Sequence, residues 1–169
     1  GRRGRRFLMA SWYQQVVNNI AVLPDCIDSF EEQFNEARLE IKFSGSIEKA
    51  SSVIPAIVQL RFSQLQEIEA ILEHLNIHLR KLRAQVFKRY LENYNRQLSS
   101  RDAQAYVDGE QVIVDQTELI NEFGLLRNQF LGILKALEAK QFQINNIVKL
   151  RVAGLEDSEI NMFYGNPNK

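Results

Sequence analysis

The sequence is poor in cysteine, proline and glycine. The single cysteine, Cys26, excludes an intramolecular disulfide and offers no cluster of thiol ligands for a metal, which fits a reducing compartment. Only three prolines and eight glycines occur among 169 residues, so the composition favours helices over a turn-rich β fold. No apolar run approaches the roughly 20 residues of a membrane span. We therefore expect a soluble, cytoplasmic protein with no membrane partner.

Four segments follow from the pattern of polar and apolar residues. Residues 1–9 begin with Gly-Arg-Arg-Gly-Arg-Arg and reach an ordinary start residue, Met9, so we interpret them as a leader or upstream addition. Residues 10–45 are predicted to form short N-terminal helices, and residues 46–154 a long helical hairpin that mediates oligomerisation. The polar end, residues 155–169, is predicted to be a flexible tail.

The N-terminal segment has moderate helix signals. Residues 11–22 are predicted to form a short helix that ends before Pro24, because proline cannot continue a helix. Asp25 or Asp28 is predicted to cap a second helix that runs to about Lys42.

The strongest periodicity runs from about Ile47 to Leu98, behind Ser46 as a predicted N-cap. Pro55 is predicted to kink this helix or to mark a restart. Apolar residues recur every seven positions, as in a coiled-coil seam. This seam comprises Val58, Leu65, Leu72, Leu79 and Val86, with Ile68, Leu75 and Leu82 in the intervening register. Ile54, Ile57, Ile71 and Ile77 widen the apolar face.

A polar connector and a second long helix follow. Residues 99–102 have capping chemistry and are predicted to interrupt the long helix, and residues 103–107 are predicted to add one turn that Asp108-Gly109 closes. The β-branched residues 112–114 are predicted to form an extended linker. Asp115 is the predicted N-cap of the second helix, and Gly154 its left-handed C-terminal cap. Its seam comprises Phe123, Phe130, Leu137 and Ile144, with Leu119, Leu126, Ile133 and Ile147 in the alternate register.

These patterns predict an all-α fold with two long amphipathic helices in an antiparallel hairpin, preceded by short N-terminal helices. The connector of about 16 residues is long enough for the chain to reverse direction. Since neither long helix can bury its wide apolar face alone, we also expect the chain to oligomerise through coiled-coil-like seams.

Motifs typical of catalysis are missing from the sequence. It contains no glycine-rich phosphate loop and no Gly-x-Ser-x-Gly elbow. His74 and His78 have the spacing of two ligands to one metal, but no third ligand accompanies them, which favours packing or surface histidines. We therefore predict a non-enzymatic protein with no cofactor and no bound metal.

The charges are zoned along the chain, which has no net charge. Residues 25–73 carry ten acids and four bases, whereas residues 74–101 carry seven bases and one acid. Tyrosines are interleaved with these basic residues, and the mixture suits single-stranded DNA. Lysine and arginine side chains contact phosphates, and tyrosine rings stack on unpaired nucleobases. Pairing of the basic segment with acids of a neighbouring subunit is an equally weighted alternative. The candidate DNA contacts are Arg83, Lys88, Arg89, Tyr90, Tyr94 and Arg96.

A family resemblance covers half to two-thirds of the chain. The segments Phe87–Tyr94, Asp102-Ala103, Tyr106–Asp108 and Phe142–Ile147 resemble, in order and character, the UvsY recombination-mediator family of tailed phages. The resemblance implies an accessory factor of homologous recombination that forms ring-like homo-oligomers and binds single-stranded DNA. Such a factor remodels the complex of DNA with single-strand-binding protein and helps to load the recombinase, in the cytoplasm of the host cell.

The basic element of that family is only partly matched. The family links DNA binding to a Lys-x-Arg element, of which Lys88 matches the first position, while Tyr90 occupies the second and Arg89 is displaced by one. A helical structural or adaptor protein of a phage, acting only through protein interfaces, therefore stands as the alternative function.

Overall fold

The computed structural model describes residues 10–43, 45–94 and 97–154. The predictions for the two terminal segments and for Arg96 lie outside these residues. The described residues contain no β-strand, and the predicted all-α class is confirmed. The elements are α1 (Trp12–Asn18), a 3₁₀ helix (Ile20–Val22), α2 (Leu23–Glu40), α3 (Ile47–Asn93), α4 (Ser100–Gly109) and α5 (Gln111–Val152).

The two long helices, α3 and α5, pack against each other in opposite directions. Near the start of α3, Glu48 accepts a hydrogen bond of 3.2 Å from Arg151, which lies at the end of α5. Further along α3, the carbonyl of Leu75 accepts a hydrogen bond of 3.4 Å from Gln116, near the start of α5. Positions that rise along α3 therefore meet positions that fall along α5, which confirms the predicted antiparallel hairpin.

Two of the predicted caps are confirmed. Ser46 precedes α3 in extended conformation, and its hydroxyl accepts a hydrogen bond of 3.2 Å from the backbone N–H of Lys49. Gly154 follows α5 with a φ of +78°, the left-handed conformation that favours glycine. Capping chemistry alone thus placed one end of each long helix.

The predicted boundaries of the N-terminal helices are wrong. The first helix ends at Asn18 rather than Val22, and Pro24 lies in the first turn of α2, where its missing N–H costs no helical hydrogen bond. The residue at the N-cap of α2 is Val22, which makes no side-chain capping bond, so neither Asp25 nor Asp28 caps this helix.

The start of α5 is also earlier than predicted. Residues 112–114 belong to the helix rather than to an extended linker, and Asp115 is an interior residue whose carboxylate accepts a hydrogen bond of 2.6 Å from Gln111. The reason is tertiary packing: Ile113 is buried with Val86 and Val107. Burial of this side chain outweighs the weak helix propensity of a β-branched run.

Helix α3 is continuous over 47 residues, so the predicted restart at Pro55 is wrong. Packing on the turn before the proline explains this continuity, because Ala50 and Ile54 are buried against Ile144 of α5. The helix ends at Asn93, before the predicted end at Leu98.

The N-terminal helices cover one face of the hairpin. Of the residues that widen the apolar face of α3, Ile54 and Ile71 are buried, Ile57 is half-buried and Ile77 is 39% exposed. Much of the apolar width is therefore covered within the chain, and oligomerisation stays a prediction. The main core contains Val16 of α1, Leu23, Cys26, Ile27 and Phe30 of the α2 segment, Leu65, Ile68, Ile71 and Leu75 of α3, and Phe123, Leu126, Phe130 and Leu134 of α5.

A buried arginine fixes α2 to α3. Arg61 is only 1% exposed, and its Nε and Nη2 atoms donate to the two carboxylate oxygens of Glu40 at 2.9 and 2.6 Å. Its Nη1 atom donates to the side-chain oxygens of Gln33 and Gln64 at 3.1 and 2.9 Å. Every donor group of the guanidinium thus has an acceptor, the condition under which a charge is tolerated in the interior.

A buried lysine fixes the end of α2 to α5. Lys140 is 8% exposed, and its Nζ atom donates to the backbone carbonyls of Glu40 and Lys42 at 2.8 and 2.9 Å. These carbonyls lie at the end of α2, where a cation is also favoured by the helix dipole. Burial lowers the pKa of Lys140, and the charge of Glu40 partly opposes that effect.

The start of α1 is held against α2. The indole Nε1 of Trp12 donates to the hydroxyl of Ser29 at 3.2 Å, and the half-buried ring packs against the main core. On its other side α1 meets α3, where the backbone N–H of Tyr13 donates to Glu67 at 3.0 Å. Among the described residues, no helix is long and apolar enough to cross a membrane.

Candidate functional site

Three tyrosines meet where α3 ends and α4 begins. The rings of Tyr90 and Tyr106 are stacked, with centroids 5.5 Å apart and an interplanar angle of 22°. The ring of Tyr94 lies 5.9 Å from that of Tyr106 at 36°. We call Tyr90, Tyr94 and Tyr106 the tyrosine cluster. Two of its rings offer accessible surface, since Tyr94 is 44% and Tyr106 is 47% exposed.

The local chain path explains why these rings meet. α3 ends at Asn93, and Ser99 starts α4 by accepting a hydrogen bond of 3.2 Å from the N–H of Asp102. Val107 of α4 is buried against the end of α3. Because successive residues are about 100° apart around a helix, burial of Val107 leaves the preceding Tyr106 at the edge of α4, beside the tyrosines of the α3 end.

The hydroxyl groups of the cluster are engaged in hydrogen bonds. Tyr90 donates to the carboxylate of Glu110, and this bond is the main reason why the pKa of Tyr90 is raised. A hydrogen bond with Tyr94 is likewise the main reason why the pKa of Tyr106 is raised, with a smaller contribution from Asp102. The raised pKa values keep Tyr90 and Tyr106 neutral at physiological pH, so they present ring faces rather than charge.

The bases of the predicted site are largely engaged with acids. Arg83 forms an ion pair of 2.5 Å with Asp108 of α4, and Lys88 forms an exposed one of 3.7 Å with Glu92, one turn further along α3. Arg89 is exposed and has no ion-pair partner among the residues that the structure describes. Each exposed pair contributes only about 0–1 kcal/mol to stability, so its cation can exchange partners at little cost.

The basic side chains of the predicted site do not lie along one face of α3. At about 100° per residue, Arg83, Lys88 and Arg89 lie about 100–140° apart around the axis of α3. The structure therefore brings together the two predicted tyrosines but not the three described bases of the predicted site.

Sequence reasoning missed three residues of this site: Tyr106, Asp108 and Glu110. α4 was predicted as a single turn, whereas it spans ten residues and carries the first two of them against the end of α3. The available signal was the alternation of apolar and polar residues around the buried Ala103 and Val107, which are four positions apart on one helix face.

Other groups that could carry chemistry are placed as follows. His74 and His78 are half-buried on α3, and the residues that the structure describes contain no group of three metal-binding side chains. Cys26 is fully buried, and burial, with a smaller effect of Glu67, raises the pKa of its thiol to about 12.

Comparison of the chain with protein-family models, curated proteins and solved structures finds no match in any of the three. The resemblance to the UvsY family therefore stays a prediction.

Proposed function

We propose that this chain is a non-enzymatic accessory protein that binds single-stranded DNA at the tyrosine cluster. The observation that supports the proposal is the meeting of Tyr94 and Tyr106, two half-exposed rings, beside the basic end of α3. Base stacking on aromatic faces tolerates any sequence, because every base has a π face. An uncharged phenol ring suits this role better than a phenolate would, since it does not repel phosphates.

The bases around the cluster supply the phosphate contacts in this proposal. Arg89 contacts a phosphate directly, while Arg83 and Lys88 exchange their exposed carboxylate partners for phosphates. Arg96 belongs to the same set by its position in the sequence. Because these basic side chains lie on different sides of α3, a single copy binds DNA weakly, and useful affinity comes from several copies on one strand.

The wider role in the proposal comes from the resemblance to the UvsY family. A ring-like homo-oligomer would carry several tyrosine clusters, wrap the strand and loosen single-strand-binding protein, so that a recombinase can load. Single-stranded DNA, the single-strand-binding protein and the recombinase are then the partners, in the cytoplasm of a phage-infected cell.

A fluorescence-anisotropy titration of labelled oligo-dT at several salt concentrations tests DNA binding. We expect Lys88→Ala with Arg89→Ala to weaken binding and to flatten the slope of log affinity against log salt by about 1.4, since each lost phosphate contact on a single strand contributes about 0.7. The matched control is Lys135→Ala with Lys149→Ala, which removes two exposed lysines of α5. Absence of binding at low salt, or equal effects of both double variants, would exclude the proposal.

A second variant separates stacking from charge. Tyr106→Leu removes the π face but keeps an apolar side chain, so we expect weaker binding with an unchanged salt slope. A changed salt slope with unchanged affinity at low salt would mean that Tyr106 acts only by positioning the lysine and arginine side chains.

The second candidate function is a helical adaptor that acts through protein interfaces alone. The observation in its favour is that Arg83 and Lys88 are already paired with Asp108 and Glu92 within the chain. It predicts no salt-dependent affinity for single strands, so the same titration distinguishes the two functions.

A further inference from the structure

The face of α3 that points away from the core carries a second seven-residue repeat. Ile77 lies about 180° around the helix from the fully buried Ile68. Positions seven apart drift by only about 20° per heptad, so the repeat that contains Ile77 forms one line along the helix. Its members, which we call the outer seam, are all exposed: Ser63, Ala70, Ile77, Ala84 and Leu91.

The charges beside the outer seam change sign at Ile77. On one flank of the seam, the exposed Glu73 precedes Ile77 and the exposed Arg80 follows it. This acid and this base are placed almost symmetrically about Ile77. The flank is therefore complementary in charge to the same flank of a second copy that runs in the opposite direction.

We propose that two copies of this chain pair antiparallel along their outer seams, about a two-fold axis at Ile77. Ile77 then meets Ile77 of the second copy, Ala70 meets Ala84 of the second copy, and Ser63 meets Leu91 of the second copy. The small alanines on either side of the central isoleucine let the helices approach closely. Such a contact is isologous, because each residue pair occurs twice.

Charge decides the direction of pairing. In the antiparallel arrangement Glu73 faces Arg80 of the second copy, whereas a parallel pair would bring the acidic ends of the two faces together and the basic ends together. Within one copy, Glu73 and Arg80 are 3.2 Å apart with side chains 65% and 69% exposed, so this bond exchanges for an intermolecular one at little cost.

The pairing does not depend on DNA binding, and it leaves the tyrosine cluster accessible. Tyr90 is 13 residues from the two-fold axis, so the two clusters lie about 39 Å apart along the paired helices at 1.5 Å per residue. Because the seam has only four apolar residues per copy, we expect a dimer that dissociates on dilution. An isologous pair is closed, so a larger ring would need a second interface elsewhere on the chain.

Sedimentation velocity of the full chain over a concentration series tests the interface. Ile77→Glu should weaken association at least tenfold without loss of helix content, because the side chain is exposed in the monomer. The matched control is Leu125→Glu, since Leu125 is 60% exposed on α5 and outside the seam. A monomeric wild type at high concentration, or equal effects of the two variants, overturns the proposal.

Charge reversal and cross-linking test the direction. Glu73→Arg should weaken the dimer, and Glu73→Arg combined with Arg80→Glu should restore it; failure of the double variant to restore it counts against the antiparallel pair.

A mixture of Ala70→Cys and Ala84→Cys chains should form a mixed disulfide under oxidation. Ala70→Cys alone should not, since its two copies are about 21 Å apart and a disulfide spans about 4.4–6.8 Å between Cα atoms. Efficient dimerisation of Ala70→Cys alone would show a parallel pair. Cys26 does not interfere because it is fully buried.

Discussion

Replacing Arg61 by leucine tests how α2 is attached to the hairpin. The substitution keeps a side chain of similar apolar character against the core but removes the guanidinium. Glu40 then loses two hydrogen bonds, of 2.9 and 2.6 Å, and Gln33 and Gln64 lose a shared donor. The carboxylate of Glu40 would be left partly buried without its counter-charge.

The expected magnitude follows from the exposure of each partner. Removal of one partner of a buried ion pair costs about 3–5 kcal/mol of the free energy of unfolding. The side chain of Glu40 is 25% exposed, so water can solvate it, and we expect about 3 kcal/mol for Arg61→Leu. The side chain of Arg61 is only 2% exposed, and Glu40→Leu leaves this buried arginine without its counter-charge. This variant should therefore lose at least as much of the free energy of unfolding. The double variant should be more stable than the sum of the two losses predicts.

Urea denaturation followed by circular dichroism at 222 nm measures these free energies. The control is Arg127→Leu, which breaks the ion pair of 3.2 Å with Glu69 between α5 and α3; both side chains are about 40% exposed. We expect this variant to lose less than about 1 kcal/mol. If Arg61→Leu costs no more than Arg127→Leu, burial does not determine the strength of these pairs, and the reasoning fails.

Three further predictions concern single residues. Lys140→Met should lower the free energy of unfolding by about 1–3 kcal/mol in the same assay, because two backbone carbonyls at the end of α2 lose their donor. Since burial lowers the pKa of Lys140 in the folded state, the unfolded chain holds this proton more tightly. The wild type should therefore gain stability relative to Lys140→Met as pH rises towards the ordinary value of 10.5, and a constant difference would contradict this sign. Cys26, with its pKa raised to about 12, should react with a thiol reagent at pH 8 only as fast as the protein unfolds, and rapid labelling of the native protein would refute its burial. Ser46→Ala should cost about 1 kcal/mol through loss of the α3 cap, whereas Asp115→Ala should cost less; equal losses would place a cap at both residues.

The long helices were predictable because their apolar residues recur at a period set by the helix itself. Ser46 and Gly154 were predictable as helix ends from their own chemistry. The hydroxyl of Ser46 accepts a hydrogen bond from a backbone N–H of the first turn, and Gly154 adopts the left-handed conformation that ends a helix. The start of α5 was not predictable, because residues 112–114 become helical only when Ile113 packs against Val86, which lies on another helix. Local propensity carries no information about such a partner.

The candidate site was predictable in part for the same reason. Tyr90 and Tyr94 were identified from the tyrosines interleaved with bases, but Tyr106 reaches them only through the reversal of the chain between α3 and α4. The pairing of Arg83 with Asp108 depends on that same reversal. The apolar width of α3 predicts self-association from the sequence. In the structure the N-terminal helices cover part of this width within the chain, and self-association stays a prediction.

Trp12, whose indole donates a hydrogen bond to Ser29, is an intrinsic fluorescent reporter of this protein. Trp12 is the only tryptophan of the chain, and it lies half-buried where α1 meets α2. Its emission therefore responds to the docking of the N-terminal helices, whereas circular dichroism responds mainly to α3 and α5. Coincident melting curves would show one cooperative unit, and an earlier red shift of the emission would show that the N-terminal helices detach while the hairpin persists. The order in which the two layers come apart can thus be observed without any added label.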